Sequence, residues 1–139
     1  MKFTFADTQG WTALSNKKDQ FHKRALAIKN KSISQHTKFI TSNFILDETY
    51  TLLLTRIGHI AAVKFGEMIR HTSSVEVVHV TENIEEKAWQ IFKRYADKTF
   101  SFTDCTSFVI MQQLGIIDVF TNDHDFEQMG FNILLKQTS

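Results

Sequence analysis

The chain has 139 residues, of which 42% are apolar and thirteen are phenylalanine, and its net charge is +1 with histidine counted neutral. That length and apolar content suit a folded domain with its own core and exclude a disordered or low-complexity chain. The single cysteine, Cys105, excludes an intramolecular disulfide or thiolate zinc site, and the near-zero charge excludes a binder acting by bulk electrostatics alone.

No apolar run approaches the roughly eighteen residues of a membrane span, and the opening MKFTFADTQGW lacks the apolar stretch of a secretory signal. A cytosolic protein with no membrane association is expected. Proline is absent and glycine is sparse. With no linker or repeat, one domain over residues 1–139 is expected.

The segment KFTF, leading into Ala6 and Asp7, predicts a short first strand. From Gly10 to about Asn30 the pattern is helical and breaks near Asn16, with Asp19 placed to open the second helix. Residues Thr37 to Thr41 predict a second strand. Asn43 is a candidate N-cap for the helix after it. There Leu46, Tyr50, Leu53, Leu54 and Ile57 recur at helical spacing, and Gly58 can end the run. A further helix from His59 to about Arg70 has Ile60, Val63 and Ile69 as its apolar positions. Val75 to Val80 is a β-branched strand, and Thr81 can cap a helix carrying Ile84, Ala88, Ile91, Phe92 and Tyr95. Ser101 or Thr103 can cap another helix that ends at Gly115. Asp118 to Thr121 and Asn132 to Leu135 predict two more short strands. Strands alternating with helices make this an α/β chain, with a parallel sheet covered on both faces. In such sheets ligands bind beyond the carboxyl ends of the strands.

Three acids fall in that region. Asp7 follows the first strand, Asp123 follows the strand around Val119 and Phe120, and Asp104 opens a helix after Phe100 to Phe102. Glu48 lies one turn into its helix, on the side away from the apolar stripe, with Thr51 and Thr55. Each acid also has an ordinary explanation. Asp7 can cap a helix, Asp104 can form a capping box with Ser101, Asp123 can sit in a turn, and Glu48 can be solvated. Their joint chemistry is more specific. Carboxylates without histidine or thiolate suit magnesium or manganese, which supply an activated water and cover phosphoryl charge. The basic stretch Lys17, Lys18, Lys23, Arg24, Lys29 and Lys31 reads either as a solvated helix face or as a phosphate-contacting surface. Trp11 and Phe21 read as core residues, with base stacking as the alternative, and His22 reads as structural.

Four segments resemble the PIN-domain family, specifically its VapC-type toxins. They are FTFADTQGWTALSNKKDQFHKRA, FILDETYTLLLTRIGHIAA, FSFTDCTSFVIMQQLGI and VFTNDHDFEQMGF, and the resemblance covers Phe3 to Leu135. The resemblance implies a central parallel sheet of about five strands between helices. It also implies a metal-dependent endoribonuclease acting on single-stranded or looped RNA, with Mg2+ or Mn2+ as the ion. The catalytic acids would be Asp7, Glu48, Asp104 and Asp123. Asp7, Asp104 and Asp123 would hold the metal, and Glu48 would bind it or orient water. Thr8, Thr121 and Asp125 would support them from just outside. Lys17, Lys18, Lys23 and Arg24 are the candidate RNA contacts. The implied partners are RNA, a VapB-type antitoxin and a second copy of the chain in a homodimer. The helices starting near Asp19 and Asn43 are the candidate antitoxin groove. One departure is Gln9, where a small residue is more usual. Three other readings stay open: an RNA-processing PIN nuclease without an antitoxin, a non-catalytic RNA-binding module, and a phosphoacceptor receiver domain. The last needs an acidic pair at the first strand, but Ala6 precedes Asp7.

Overall fold

The computed structural model describes residues 2–136, and the outermost parts of the expected 1–139 domain, residue 1 and residues 137–139, lie outside the described residues. The elements are β1 (Phe3–Ala6), α1 (Thr8–Ser15), α2 (His22–Ser34), β2 (Lys38–Ser42), α3 (Asn43–Arg56) and α4 (His59–His71). They continue as β3 (Val75–Val78), α5 (Glu82–Arg94), α6 (Phe102–Leu114), β4 (Asp118–Phe120), α7 (His124–Gln128) and β5 (Asn132–Ile133).

All five strands run parallel in the order β3-β2-β1-β4-β5. The chain therefore builds outward from β1 in one direction through β2 and β3, then crosses back to β4 and builds the other way. With right-handed crossovers, that reversal puts α1 to α4 on one face and α5 to α7 on the other. The packing agrees: α1 rests on α2 and α3, α3 on α4, α5 on α6, and α6 on α7. The order reverses between β1 and β4, where Ala6 is in register with Phe120. A crevice forms at such a switch point, beyond the strand ends.

Each face has an aromatic core. On the first, Trp11 packs against Phe39 at 5.8 Å, Phe65 at 5.6 Å and Phe120 at 6.1 Å between ring centroids. On the second, Phe108 meets Phe100 at 5.1 Å and Phe126 at 5.0 Å, both edge to face. Trp11 is thus a core residue. Its indole N–H donates to Thr41 Oγ1 at 3.2 Å, and Thr41 in turn donates to the Ala6 carbonyl at 2.9 Å. This buried relay fixes α1 against β1 and β2. Phe21 is half-buried against the same core, and His22 Nδ1 lies 2.9 Å from the Ala13 carbonyl, both in structural roles. Cys105 is buried, and burial pushes its thiol up to about 11, with the neighbouring Asp104 carboxylate adding to the shift.

Several local expectations change. Asp19 does not open α2: its carboxylate accepts the Phe21 N–H at 2.8 Å in a turn, and the helix starts at His22. Ser42, not Asn43, caps α3 by accepting from Ile45 N–H at 3.1 Å. Asn43 instead accepts the Val80 N–H at 2.8 Å, tying the start of α3 to the exit of β3. Helix α7 escaped the periodicity reading because it is only five residues long. Ile60 is 84% exposed, and Val63, Leu54 and Phe92 also face outward. Of the expected apolar positions on helix α4, Ile69 does turn inward, together with Phe65 and Gly66. Thr81 and Ser101 do cap their helices, and Gly115 ends α6 in the left-handed conformation at φ 67°.

Gly10 lies where α1 passes close against Phe120 of β4. A methyl group there would fall on the Phe120 carbonyl oxygen and ring. Gly10→Ala should therefore lower stability by about 1–3 kcal/mol or more through overpacking. Gly115→Ala meets no atom within 4 Å and carries only the strain of positive φ, about 1 kcal/mol. Thermal melts of the two variants should differ in that order. A Gly10→Ala protein as stable as the wild type would mean that α1 does not lie this close to β4.

Candidate active site

Four aspartates meet at the switch point. Asp7 ends β1 and stands at the N-cap of α1, but its side chain makes no capping bond. It accepts instead from Thr121 Oγ1 at 2.8 Å. The same Thr121 oxygen accepts the Asp123 N–H at 3.1 Å, and its carbonyl accepts the Leu135 N–H at 3.1 Å. Thr121 therefore clamps the end of β1 to the loop after β4. Asp104 is held by a capping box at the start of α6. Its Oδ2 accepts the Ser101 N–H at 3.0 Å while Ser101 Oγ accepts the Asp104 N–H at 3.0 Å. Asp123 caps α7 by accepting the Asp125 N–H at 2.9 Å.

Asp104, Asp123 and Asp125 each offer a carboxylate oxygen within 4.8 Å of the others. Asp7 is not part of that tight trio but lies close enough for Asp104 and Asp123 to act on its charge. Asp125, expected just outside the ligand set, thus stands inside the trio, and Asp7 stands deeper behind it. The signal for this was the Asp-x-Asp spacing of Asp123 and Asp125, which a short helix brings to one side. Glu48 is exposed on α3 and lines a separate cavity of about 640 Å³ with Asn43, Asp47, Thr51 and Thr103. Thr103 precedes Asp104, so that cavity borders the aspartates without placing Glu48 among them. Gln9 is exposed and does not crowd the site.

The electrostatics are those of an uncompensated anionic site. Burial pushes the Asp7 carboxyl up to about 7, and the Asp104 and Asp123 charges add to this against the Thr121 hydrogen bond. Burial likewise lifts Asp104 to about 6, opposed by its bonds to Ser101 and reinforced by Asp123 and Asp125. Asp125 is raised by burial and by Asp123. Among the described residues no lysine, arginine or histidine pairs with any of the four. Three helix N-termini, those of α1, α6 and α7, converge here and favour negative charge. Thr8 Oγ1 is buried beside Asp7 with no hydrogen-bond partner among the described residues. An all-oxygen donor set, an excess of negative charge and an orphaned hydroxyl fit a hard divalent cation.

The four basic residues do not converge on the acids. Lys17 lines an apolar groove between the α1–α2 corner and α4, and Arg24 Nε donates to the Leu134 carbonyl at 3.1 Å. Lys18 and Lys23 are exposed.

The PIN-domain profile matches residues 4–132. The chain belongs to the PIN-domain family. Within it, the chain is 42% identical over 127 residues to the 23S rRNA-specific endonuclease VapC20 of Mycobacterium tuberculosis, covering 91% of this chain and 94% of that protein. It is 32% identical over 101 residues to a VapC ribonuclease of Archaeoglobus fulgidus, covering 71% of this chain and 64% of that one. The crystal structure of M. tuberculosis VapC20, described as a sarcin-ricin loop cleaving toxin, superposes with a TM-score of 0.83 at 40% identity, over 93% of this chain and 96% of that one. This PIN domain is a VapC-type nuclease, of a family that is generally metal-dependent. The receiver-domain reading falls: the strand order is β3-β2-β1-β4-β5, whereas receivers use 2-1-3-4-5.

The raised carboxyls give the PIN domain a specific pH dependence in chelator. Asp7 ionises at about 7 in the fold but near 3.8 when unfolded, so the folded state holds its proton longer. The Asp7 contribution to stability is then fully present below about pH 4 and is lost as pH rises toward 7, by an amount on the order of a few kcal/mol. Asp7→Asn should flatten this slope, and millimolar Mg2+ should raise the melting temperature at pH 7.5 in the wild type. At ten to a hundred times its dissociation constant the ion contributes about 1.4–2.7 kcal/mol. Asp104→Asn or Asp123→Asn should lose most of that rise. An equal rise in both variants would mean a general salt effect.

Proposed function

We propose that this VapC-type endoribonuclease is the toxin of a toxin–antitoxin pair and cuts an exposed loop of large-subunit ribosomal RNA in the cytosol. The observation that carries the chemistry is the four aspartates gathered at the β1–β4 switch point without a cationic partner among the described residues. The choice of RNA rests on the 42% identity with the 23S rRNA-specific VapC20 over nearly the full chain.

In this reading Asp7, Asp104 and Asp123 hold Mg2+, with Mn2+ as a substitute, and Asp125 joins them from the same side. When bound, the ion supplies an activated water and offsets charge on the transferring phosphoryl oxygens. Thr121 fixes the Asp7 carboxylate and the Asp123 loop in one frame, so that the acids cannot drift apart under their repulsion. The Thr8 hydroxyl, unpartnered in the fold, is free to hold a water or a phosphate oxygen. Glu48, which lines the neighbouring cavity, would orient water from that side. Lys18 and Lys23 contact RNA phosphates away from the reaction centre.

The antitoxin reading takes its support from the groove of about 790 Å³ between the α1–α2 corner and α4. Its floor is apolar, with Leu14, Ile57, Ile60, Phe65 and Met68, and its rim carries Lys17, Lys29 and Lys64 with no carboxylate. Helices α2 and α4 form its walls, whereas the sequence reading places the candidate groove on α2 and α3. The complement is an acidic amphipathic segment of a VapB-type antitoxin. A basic residue at the end of that segment enters the aspartate pocket and competes with the ion. The outward apolar face between α3 and α4, around Leu54 and Val63, supports a homodimer.

Two experiments test these readings. With purified ribosomal RNA and Mg2+, the wild type should make one dominant cut, and Asp7→Asn should reduce it at least about 100-fold while melting cooperatively. Full cutting by a folded Asp7→Asn protein would remove the metal-site assignment, and cuts scattered over many RNAs would remove the loop assignment. For the antitoxin, the double charge reversal Lys29→Glu with Lys64→Glu should weaken binding by about tenfold or more, with RNA cleavage intact. Unchanged antitoxin affinity would place the partner elsewhere.

A further inference from the structure

The aromatic side chains packed around α5 divide into two branches. One runs inward: Tyr95 meets Phe100 at 5.7 Å, and Phe100 meets the buried Phe108 at 5.1 Å. The other runs outward. Trp89 and Phe92 stack at 5.8 Å with an interplanar angle of 24°, and Phe92 meets Phe102 edge to face at 6.1 Å. Trp89 is 45% exposed and Phe92 is 43% exposed. Helix α5 does not need them for its seat, because Ile84 and Ala88 are its buried residues.

Two large aromatic rings left side by side in water are costly unless something covers them. Three observations say what does. The branch ends at Phe102, which opens α6 two residues before Asp104, so it leads to the helix start that carries one of the aspartates. The same end of α5 is cationic: Lys93 Nζ lies 5.9 Å from the centre of the Trp89 ring, and the Arg94 guanidinium, in the same last turn, lies 5.6 Å from the Tyr95 ring. The patch is also only two rings wide, far short of the roughly 800 Å² per partner that a stable protein interface needs. Stacked rings with cations at their edge match a nucleobase and its phosphate.

We propose that Trp89 and Phe92 form a stacking platform for an unpaired base of the substrate RNA, next to the phosphate held at the aspartates, with Lys93 and Arg94 against the backbone. This rests on the endoribonuclease reading and deepens it. A platform of this kind favours a splayed loop over a paired stem, because only an unstacked base can present its face.

The test uses the two tryptophans. Trp11 is buried, whereas Trp89 is half-exposed, so quenching of emission by RNA reports on Trp89. In an Asp7→Asn background, which leaves the RNA uncut, two probes are titrated: an oligonucleotide of the ribosomal loop and a short mixed-sequence single strand. Both should quench emission. Trp89→Ala with Phe92→Ala should bind each at least about tenfold more weakly, while Trp89→Phe should stay within about threefold of the parent. Absence of quenching, or an unchanged affinity in the double variant, overturns the platform. So does a double variant that turns a dimer into monomers in sedimentation, which would make the patch an interface between copies. If the wild type fails to cut the ribosomal loop, the functional reading fails, and quenching by the mixed-sequence strand still decides the platform.

Discussion

The fold is organised around one unfavourable interaction. Four carboxylates are held together where the sheet changes direction, one of them buried, and no cation among the described side chains offsets them. Left alone, such groups repel or take up protons, and the raised Asp7 and Asp104 carboxyls express that cost. What holds them in place is backbone architecture. Each aspartate is fixed at a strand end or a helix start, where main-chain N–H groups and helix dipoles favour negative charge. Thr121 joins the two strand ends across the crevice through one hydroxyl.

The rest of the structure can be followed outward from that constraint. For Asp7 to face Asp123, β1 and β4 must be neighbours, and for α1 to leave β1 directly, it must pass close to β4. Gly10 permits that approach, and the Trp11–Thr41–Ala6 relay locks it. The aromatic core on each face then supplies the burial that sustains a strained anionic centre. Function at this site is favoured at the expense of stability, as expected when a binding site is built before its ligand arrives.

The outer surface divides by chemistry. The groove beside α4 is apolar with a basic rim, the α3–α4 face is apolar, and the outer edge of α5 is aromatic and cationic. All three carry side chains that a solitary soluble domain would bury or omit. The groove and the α3–α4 face share no residue with the acidic crevice, whereas the α5 edge reaches toward it through Phe102.

Much of this was legible in the order of residues. The α/β alternation, the parallel sheet, the caps at Thr81 and Ser101, and the carboxylates at strand ends follow from local periodicity and turn chemistry, which act over a few residues. The same reasoning could not rank the acids. Asp125 joined the tight trio and Asp7 withdrew behind it because a five-residue helix and a single threonine set their relative depth. Nor could it separate apolar residues that face the core from those that stay exposed: Ile60, Val63 and Phe92 continue a helical stripe in sequence yet point outward. Local sequence determined which elements form and where their ends lie, because capping and periodicity are short-range. Tertiary structure alone decided which acids share a charge and which apolar faces remain uncovered, because both depend on distances between elements far apart in the chain.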